Sequence, residues 1–263
     1  MDFYAIPPNK HLDLMQHGDR YFALAHHYVA DSDYRKHFLN IRKNLPGAFI
    51  TLDNGAAEHS LVTEQILLDA VAELKPNEVI APDVLFDKEQ TLKNLYYFAV
   101  KMVDYKFIKH TKIFGCPQGK TKEEWLECYY LMMINPLVST IGLSKIAVPK
   151  CWYDVEGDKQ IAQSRNDCVK ELEKRAWLQK PIHLLGMGEH TEFDYYLNNN
   201  ISCIRSSDSC YTILAALNNI SFQTGSVERI PTTNAYFEIA INDEQLALAK
   251  QNIEYLKNKY KSV

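Results

Sequence analysis

Closely spaced cysteine pairs are missing from this chain. The six cysteines (116, 128, 151, 168, 203 and 210) form no CxxC and stand beside no histidine-rich segment. That excludes the usual zinc-ribbon spacing and reads as reduced thiols, not a disulfide framework. An excess of positive charge is missing too. Lys and Arg number 29 against 33 Asp and Glu, for a net charge of −4. Binding to nucleic acid through global charge is thereby excluded, so any such binding needs a local patch. No apolar run approaches the length of a membrane span. No repeat, low-complexity tract or Pro/Gly/Ser linker breaks the chain, and the start, "MDFYAIPPNKHLD", is acidic and proline-broken, unlike a signal peptide. A soluble cytoplasmic protein without membrane partners is expected.

What is present is an α/β pattern. The 263 residues are 46% hydrophobic and 24% charged, which suits one large domain spanning 1–263. Short β-rich runs alternate with segments of helical period. The runs are "YFALAHHYV" (21–29), "AFITLD" (48–53), "EVIAPDVLF" (78–86) and "HTKIFGCPQG" (110–119). They continue with "LVSTIGLS" (137–144), "PIHLLGMG" (181–188), "ISCIRSSD" (201–208) and "NAYFEIAI" (234–241). Several are almost continuously apolar, as strands covered on both faces are. Helix starts show as Asp87 with Gln90, Thr121 with Glu124, and Asn242 before a segment ending in lysines. Eight alternations at this length predict a single (β/α)8 TIM barrel, with an open doubly wound sheet as the alternative.

In such a barrel the chemistry sits at the C-terminal strand ends. Those ends carry Asp53, Asp83, Gln118, Gly119, Gly142, Gly186, Gly188, Ser207 and Asp208. Taken singly, a strand-end Asp is a cap or turn former and a Gly a tight turn. Asp53 in "AFITLDNGAAEHS" has two readings, a helix cap or a reactive acid at the barrel mouth. Converging on one rim, two carboxylates can divide nucleophile and acid/base roles, as in retaining glycosyl transfer. A third, beside an amide and bare backbone, suits the N–H edge of a purine-like ring.

With those residues in place, the chain resembles the tRNA-guanine transglycosylase superfamily. Within it the chain is most similar to the phage and genomic-island branch, the DNA 7-deazaguanine transglycosylases. "LDNGAAEHS" stands for the family's Asp-Ser-Gly-Gly-Phe-Gln stretch and "IAPDVLFD" for its base-reading Asp strand. "FGCPQGKTKEEW" matches the Gln-Gly strand end and its helix, and "TIGLSK" the Ile-Gly-Gly-Leu turn. "HLLGMG" and "IRSSDSC" match the Leu-Met-Gly-Val-Gly strand and the nucleophile strand. The order runs from about residue 20 to residue 215.

The resemblance implies roles. Asp208 would be the nucleophile forming a covalent glycosyl-aspartate, and Asp53 the general acid/base. Asp83 would read the guanine-like edge, with Asp87 as its alternative. Gln118, Gly119, Gly142, Gly186 and Gly188 would complete the base site. The reaction implied is exchange of guanine in DNA for a 7-deazaguanine derivative, without cofactor or metal, with tRNA as the alternative polymer. The family allows a homodimer, and a phage-encoded enzyme would act in the host cytoplasm. Two departures stand out. Asn54 replaces the family's Ser. Only Cys210 follows Asp208 and no histidine lies beyond His190, so the zinc-binding subdomain of the tRNA enzymes is not expected and the barrel is a reduced one.

Other features have competing readings. His26 and His27 suggest a metal-dependent hydrolase, but neighbours on a strand point to opposite faces. The segment 32–44 gathers Arg35, Lys36, His37, Arg42 and Lys43, read as a solvated helix face or as a phosphate-binding patch. Lys145, Lys150 and Arg205 would extend that patch, with Trp152 and Tyr153 available to stack on a displaced base. Arg165, in the amphipathic segment 164–177, is expected at the surface. A non-catalytic nucleic-acid-binding barrel subunit and a base hydrolase are the alternatives to exchange.

Overall fold

The computed structural model describes residues 1–263 except 57–59, 61, 156, 158, 190, 225–229, 231–234 and 262–263. Eight strands form one parallel sheet: β1 (Asp2–Ala5), β2 (Tyr21–Leu24), β3 (Ile50–Asp53), β4 (Glu78–Ile80), β5 (Lys112–Gly115), β6 (Val138–Ser144), β7 (Ile182–Leu185) and β8 (Ile204–Ser209). Neighbours follow the order β1-β8-β7-β6-β5-β4-β3-β2, so the sheet curls into a (β/α)8 barrel. At the seam between β1 and β2, Phe3 is bound by Asp19. Its carbonyl accepts the Asp19 N–H (2.8 Å) and its N–H donates to Asp19 Oδ2 (3.0 Å).

The ring is counted differently from the sequence expectation. The eighth strand is β1, at the N-terminus. It is only four residues long and is ordered by β8, with Phe3 opposite Ser207 and Tyr4 opposite Asp208. The run "NAYFEIAI" is not a strand: its described part forms a 3-10 turn, Tyr236–Glu238. The place beside β8 is taken by β1. Tyr236 instead donates its hydroxyl to the Ile6 carbonyl (2.5 Å) and the Ile241 N–H donates to His11 Nε2 (3.0 Å). The first expected run is shorter than read, because the chain turns from β2 directly into the helix Ala25–Ala30.

Helices coat the barrel where their caps announce them. Asp87 Oδ1 accepts the Gln90 N–H (2.9 Å) at the start of Lys88–Asp104. Thr121 Oγ1 accepts the Glu124 N–H (3.3 Å) at Lys122–Ile134, and Glu124 reaches back to the Lys120 N–H (2.8 Å). Asn242 and Gln245 make a reciprocal capping box at Asp243–Lys261 (2.9 and 3.4 Å). That last helix carries buried Asn252, which accepts from the Phe222 N–H and donates to the Thr212 and Ile220 carbonyls.

The barrel interior is polar at its N-terminal end. Glu78 at the start of β4 accepts both Arg205 Nη atoms (2.8 Å each) and the Thr140 hydroxyl (2.6 Å). Above this lies His183, its ring 5.2 Å from Tyr4, 5.8 Å from Phe22 and 5.6 Å from Phe114, centroid to centroid. Outside the ring, Arg165 is wholly buried and not at the surface. Its helix, Ile161–Lys174, is amphipathic as expected, but Arg165 lies on the inner face, paired with Glu192 (2.7 Å). The same guanidinium donates to the carbonyls of Leu143 (3.1 Å), Leu185 (3.2 Å) and Gly186 (2.6 Å). No described helix is long and apolar enough to cross a membrane.

Candidate active site

The C-terminal strand ends surround a cavity of about 500 Å³. Asp53, Asp83, Gln118, Gly186 and Asp208 all line it. Five residues separated by up to 155 positions are therefore brought to one mouth, because each closes or follows a parallel strand.

Asp208 is the fifth residue of β8 and is 7% exposed. Its Oδ1 sits 2.9 Å from His183 Nε2 and accepts the Gly186 N–H at 3.0 Å. Gly186 has φ +70, the left-handed region that favours glycine. A Cβ there would also fall 2.5 Å from Lys145 Cδ. The Arg165 bond to the Gly186 carbonyl fixes the same turn from the other side.

Asp53 ends β3 and is 9% exposed. It is not a helix cap. The next helix, Glu64–Leu74, is capped by Thr63, whereas Asp53 Oδ2 accepts the Gly55 N–H (3.0 Å) two residues on. Gly55 has φ +81, and a Cβ on it would lie 2.7 Å from the Ser60 carbonyl oxygen.

Asp83 is buried between two carboxamides. Asn54 Nδ2 donates to Oδ1 (2.6 Å) and Gln118 Nε2 to Oδ2 (2.6 Å). Each amide is itself held. Asn54 also donates to the Ala81 carbonyl (2.8 Å) and accepts the Ala56 N–H (2.9 Å), and Gln118 Oε1 accepts the Phe86 N–H (3.2 Å). Burial pushes the Asp83 carboxyl up, against the pull of those amides. A carboxylate oxygen can accept two hydrogen bonds, and one amide takes one place on each. Asn54 thus orients the carboxylate. Asp87 is the helix cap described above, which leaves Asp83 as the strand-end acid facing the cavity.

The remaining expected site residues fall elsewhere. Gly142 lies below the cavity in β6, where a Cβ would meet Leu185 (2.6 Å) and Phe114 (2.7 Å). Gly119 gives close approach to the helix behind it: a Cβ would lie 2.5 Å from the Trp125 nitrogen. The Gly188 N–H donates to Glu192 (2.7 Å). None of these three lines the cavity.

Of the expected basic patch, Lys145 lines the cavity. Arg205 is at the opposite end of the barrel, bound to Glu78. Arg35 pairs with Glu73 (2.6 Å), Lys36 with Asp33 (3.0 Å) and Lys150 with Asp154 (2.6 Å). Arg42 serves the Leu74 and Ala48 carbonyls and Asn77. Trp152 packs edge-on against Trp125 (5.2 Å), and Tyr153 donates to Asp167.

His26 and His27 lie on a helix, not a strand, and both line the cavity. The opposite-face reasoning therefore does not apply to them. Burial and the neighbouring His27 lower His26 to about 4, so it is neutral near pH 7. Among the described residues no group of His, Cys, Asp and Glu is arranged to hold a metal ion. His190 and residues 57–58 of the "DNGAAE" stretch lie outside the described residues.

Sequence reasoning gave no role to His183, whose Nε2 lies 2.9 Å from Asp208. It reads as the opening of an apolar strand, and only its period relative to Leu185 hints that it points inward.

A crystal structure of RipC from Yersinia pestis is similar over 95% of this chain and 93% of its own, at 9% identity and a TM-score of 0.40. A protein of Aquifex aeolicus VF5 is similar over 97% and 91%, at 12% identity and a TM-score of 0.50. The second likeness is one of fold, and neither carries chemistry to this chain. No protein-family model and no curated protein matches the sequence.

Proposed function

We propose that the chain is a base transglycosylase that exchanges guanine in DNA for a 7-deazaguanine derivative through a glycosyl-aspartate intermediate. The observation that carries this reading is one cavity holding three carboxylates in three environments. Asp208 is held by donors on one oxygen, Asp53 closes a turn at the mouth, and Asp83 is locked between amides. Only a pair of acids is needed for retaining glycosyl transfer. The third, with its oriented lone pairs, suits a ring edge presenting N–H donors.

In this reading an Asp208 oxygen attacks C1′ as the C1′–N9 bond breaks and its electron pair leaves with guanine. Asp53 supplies the proton the departing base needs. The incoming base then gives its N9 proton to Asp53, attacks C1′ and returns the electron pair to Asp208. Asp83, Asn54 and Gln118 hold whichever base is present. Flipping a duplex nucleotide into the site requires a few kcal/mol of unstacking, about the scale that strand contacts must offset.

The choice of DNA over tRNA rests on the sequence, which lacks the cysteines and histidine of the tRNA enzymes' zinc subdomain. The test is incorporation of labelled guanine or 7-cyano-7-deazaguanine into duplex DNA and, in parallel, into tRNA. Label in DNA supports the proposal. Label in tRNA alone moves the substrate, and release of free guanine without incorporation makes the protein a hydrolase.

A further inference from the structure

His183 is fully buried beneath the cavity, and the proposed reaction gives it no proton to carry. The direction of its hydrogen bonds follows its tautomer, and its partners favour one. Arg205, anchored to Glu78, can only donate. Ser206 Oγ, 3.3 Å from Arg205 Nε, therefore accepts there and has its own proton left to give. It lies 2.8 Å from His183 Nδ1. Where Nδ1 accepts that proton it carries none of its own, and a neutral ring then has its proton on Nε2, which faces the Asp208 carboxylate at 2.9 Å. The groups facing the ring are Tyr4 from β1, Phe22 from β2, Phe114 from β5, and Arg205, Ser206 and Asp208 from β8, with Glu78 behind Arg205. Burial holds the imidazole below its ordinary range, although Asp208 pulls the other way.

Both donors to Asp208, His183 Nε2 and the Gly186 N–H, land on Oδ1. Among the described residues Oδ2 accepts no hydrogen bond, and the residue lines the cavity. We propose that His183 is a positioning residue for Asp208: set as the Nε2–H tautomer by Arg205 and Ser206, it pins Oδ1 and presents Oδ2 to the substrate. The geometry stands by itself, and the chemical consequence rests on the transglycosylase reading. Oδ2 forms the bond to C1′. When that ester breaks, the electron pair returns to a carboxylate whose Oδ1 is already stabilised by two donors. Losing one donor thus slows release of the intermediate more than its formation.

Two measurements test this. In protein labelled with 15N-histidine, long-range proton–nitrogen NMR correlations report the His183 tautomer. The expected result is neutral Nε2–H from about pH 6 to about pH 8, across the ordinary imidazole range. A proton on Nδ1, or an imidazolium, overturns the proposal. Separately, the turnover of the covalent adduct is compared in His183→Leu and His183→Gln. Leu removes the donor, whereas the Gln amide can place an N–H near the Nε2 position. Leu is expected to slow adduct release by about 10- to 100-fold, the scale of one hydrogen bond to a charged group, with Gln within a few-fold of the parent. Equal effects from Leu and Gln overturn it. If the parent protein forms no adduct with either polymer, the transglycosylase reading fails, and the tautomer still decides the place of His183.

Discussion

Asp83 is a carboxylate that the fold buries and then surrounds with amides, an arrangement that serves a ligand better than it serves stability. Burying an ionised carboxyl is costly, and its pKa is raised for that reason. Asp83→Asn removes the charge and lets the neighbouring amides rotate to pair with it. The variant is expected to unfold at or above the parent's midpoint in thermal denaturation while losing base binding. A clear loss of stability would make Asp83 a structural residue. The histidines give a second expectation, with its sign fixed by burial. His26, His27, His37, His110 and His183 are all lowered, chiefly by desolvation. Below about pH 6.5 the unfolded chain takes up protons that these desolvated rings resist, so stability falls as pH drops toward about 4.5. Asp83 and Glu189, both raised, act in the opposite sense. Urea titrations at pH 7 and pH 5 measure this. A flat or rising profile contradicts it, and His183→Leu should reduce the slope. At this scale the acids at strand ends were legible in the sequence because their positions follow from strand phase. The role of Asn54 was not, since it depends on a neighbour 29 positions away.

Elements were legible where local chemistry defines them. The caps at Asp87, Thr121 and Asn242 are short-range side-chain bonds, and each starts a helix. The strands that failed the reading are those defined by distant partners. β1 is four residues ordered by β8, about 200 positions away, while "NAYFEIAI" has β-like composition but its described part packs as a turn against Ile6 and His11. The same limit explains the charged residues. An arginine in an amphipathic helix or at a strand start reads as solvent-facing, yet Arg165 and Arg205 both meet buried glutamates. Arg205→Met leaves Glu78 without its partner near the barrel floor. A loss on the order of 3 kcal/mol in chemical denaturation is expected, as for breaking a buried pair. Its nucleic-acid affinity, measured where the variant is folded, should keep the parent's salt dependence. A stable variant with a shallower salt slope would return Arg205 to the binding surface.

For the whole molecule, the α/β order and barrel class were legible from alternation and length, because a parallel sheet needs a crossover between every pair of strands. The electrostatic face was less so. Of the basic residues expected to meet phosphate, Lys145 lines the cavity, whereas Arg35, Lys36, Lys150 and Arg205 pair with carboxylates elsewhere. With a net charge of −4, duplex binding is expected to be weak and salt-sensitive. Lys145→Gln should flatten a logarithmic salt titration by about one unit of slope, the contribution of one phosphate contact. An unchanged slope would remove Lys145 from the interface. The most direct test of the central claim follows labelled guanine into duplex DNA with the parent and with Asp208→Asn, and traps the protein–DNA adduct in each. The parent should incorporate label and form the adduct, and the folded Asp208→Asn protein should do neither. An adduct that survives in Asp208→Asn, or a parent that labels neither DNA nor tRNA, would contradict it.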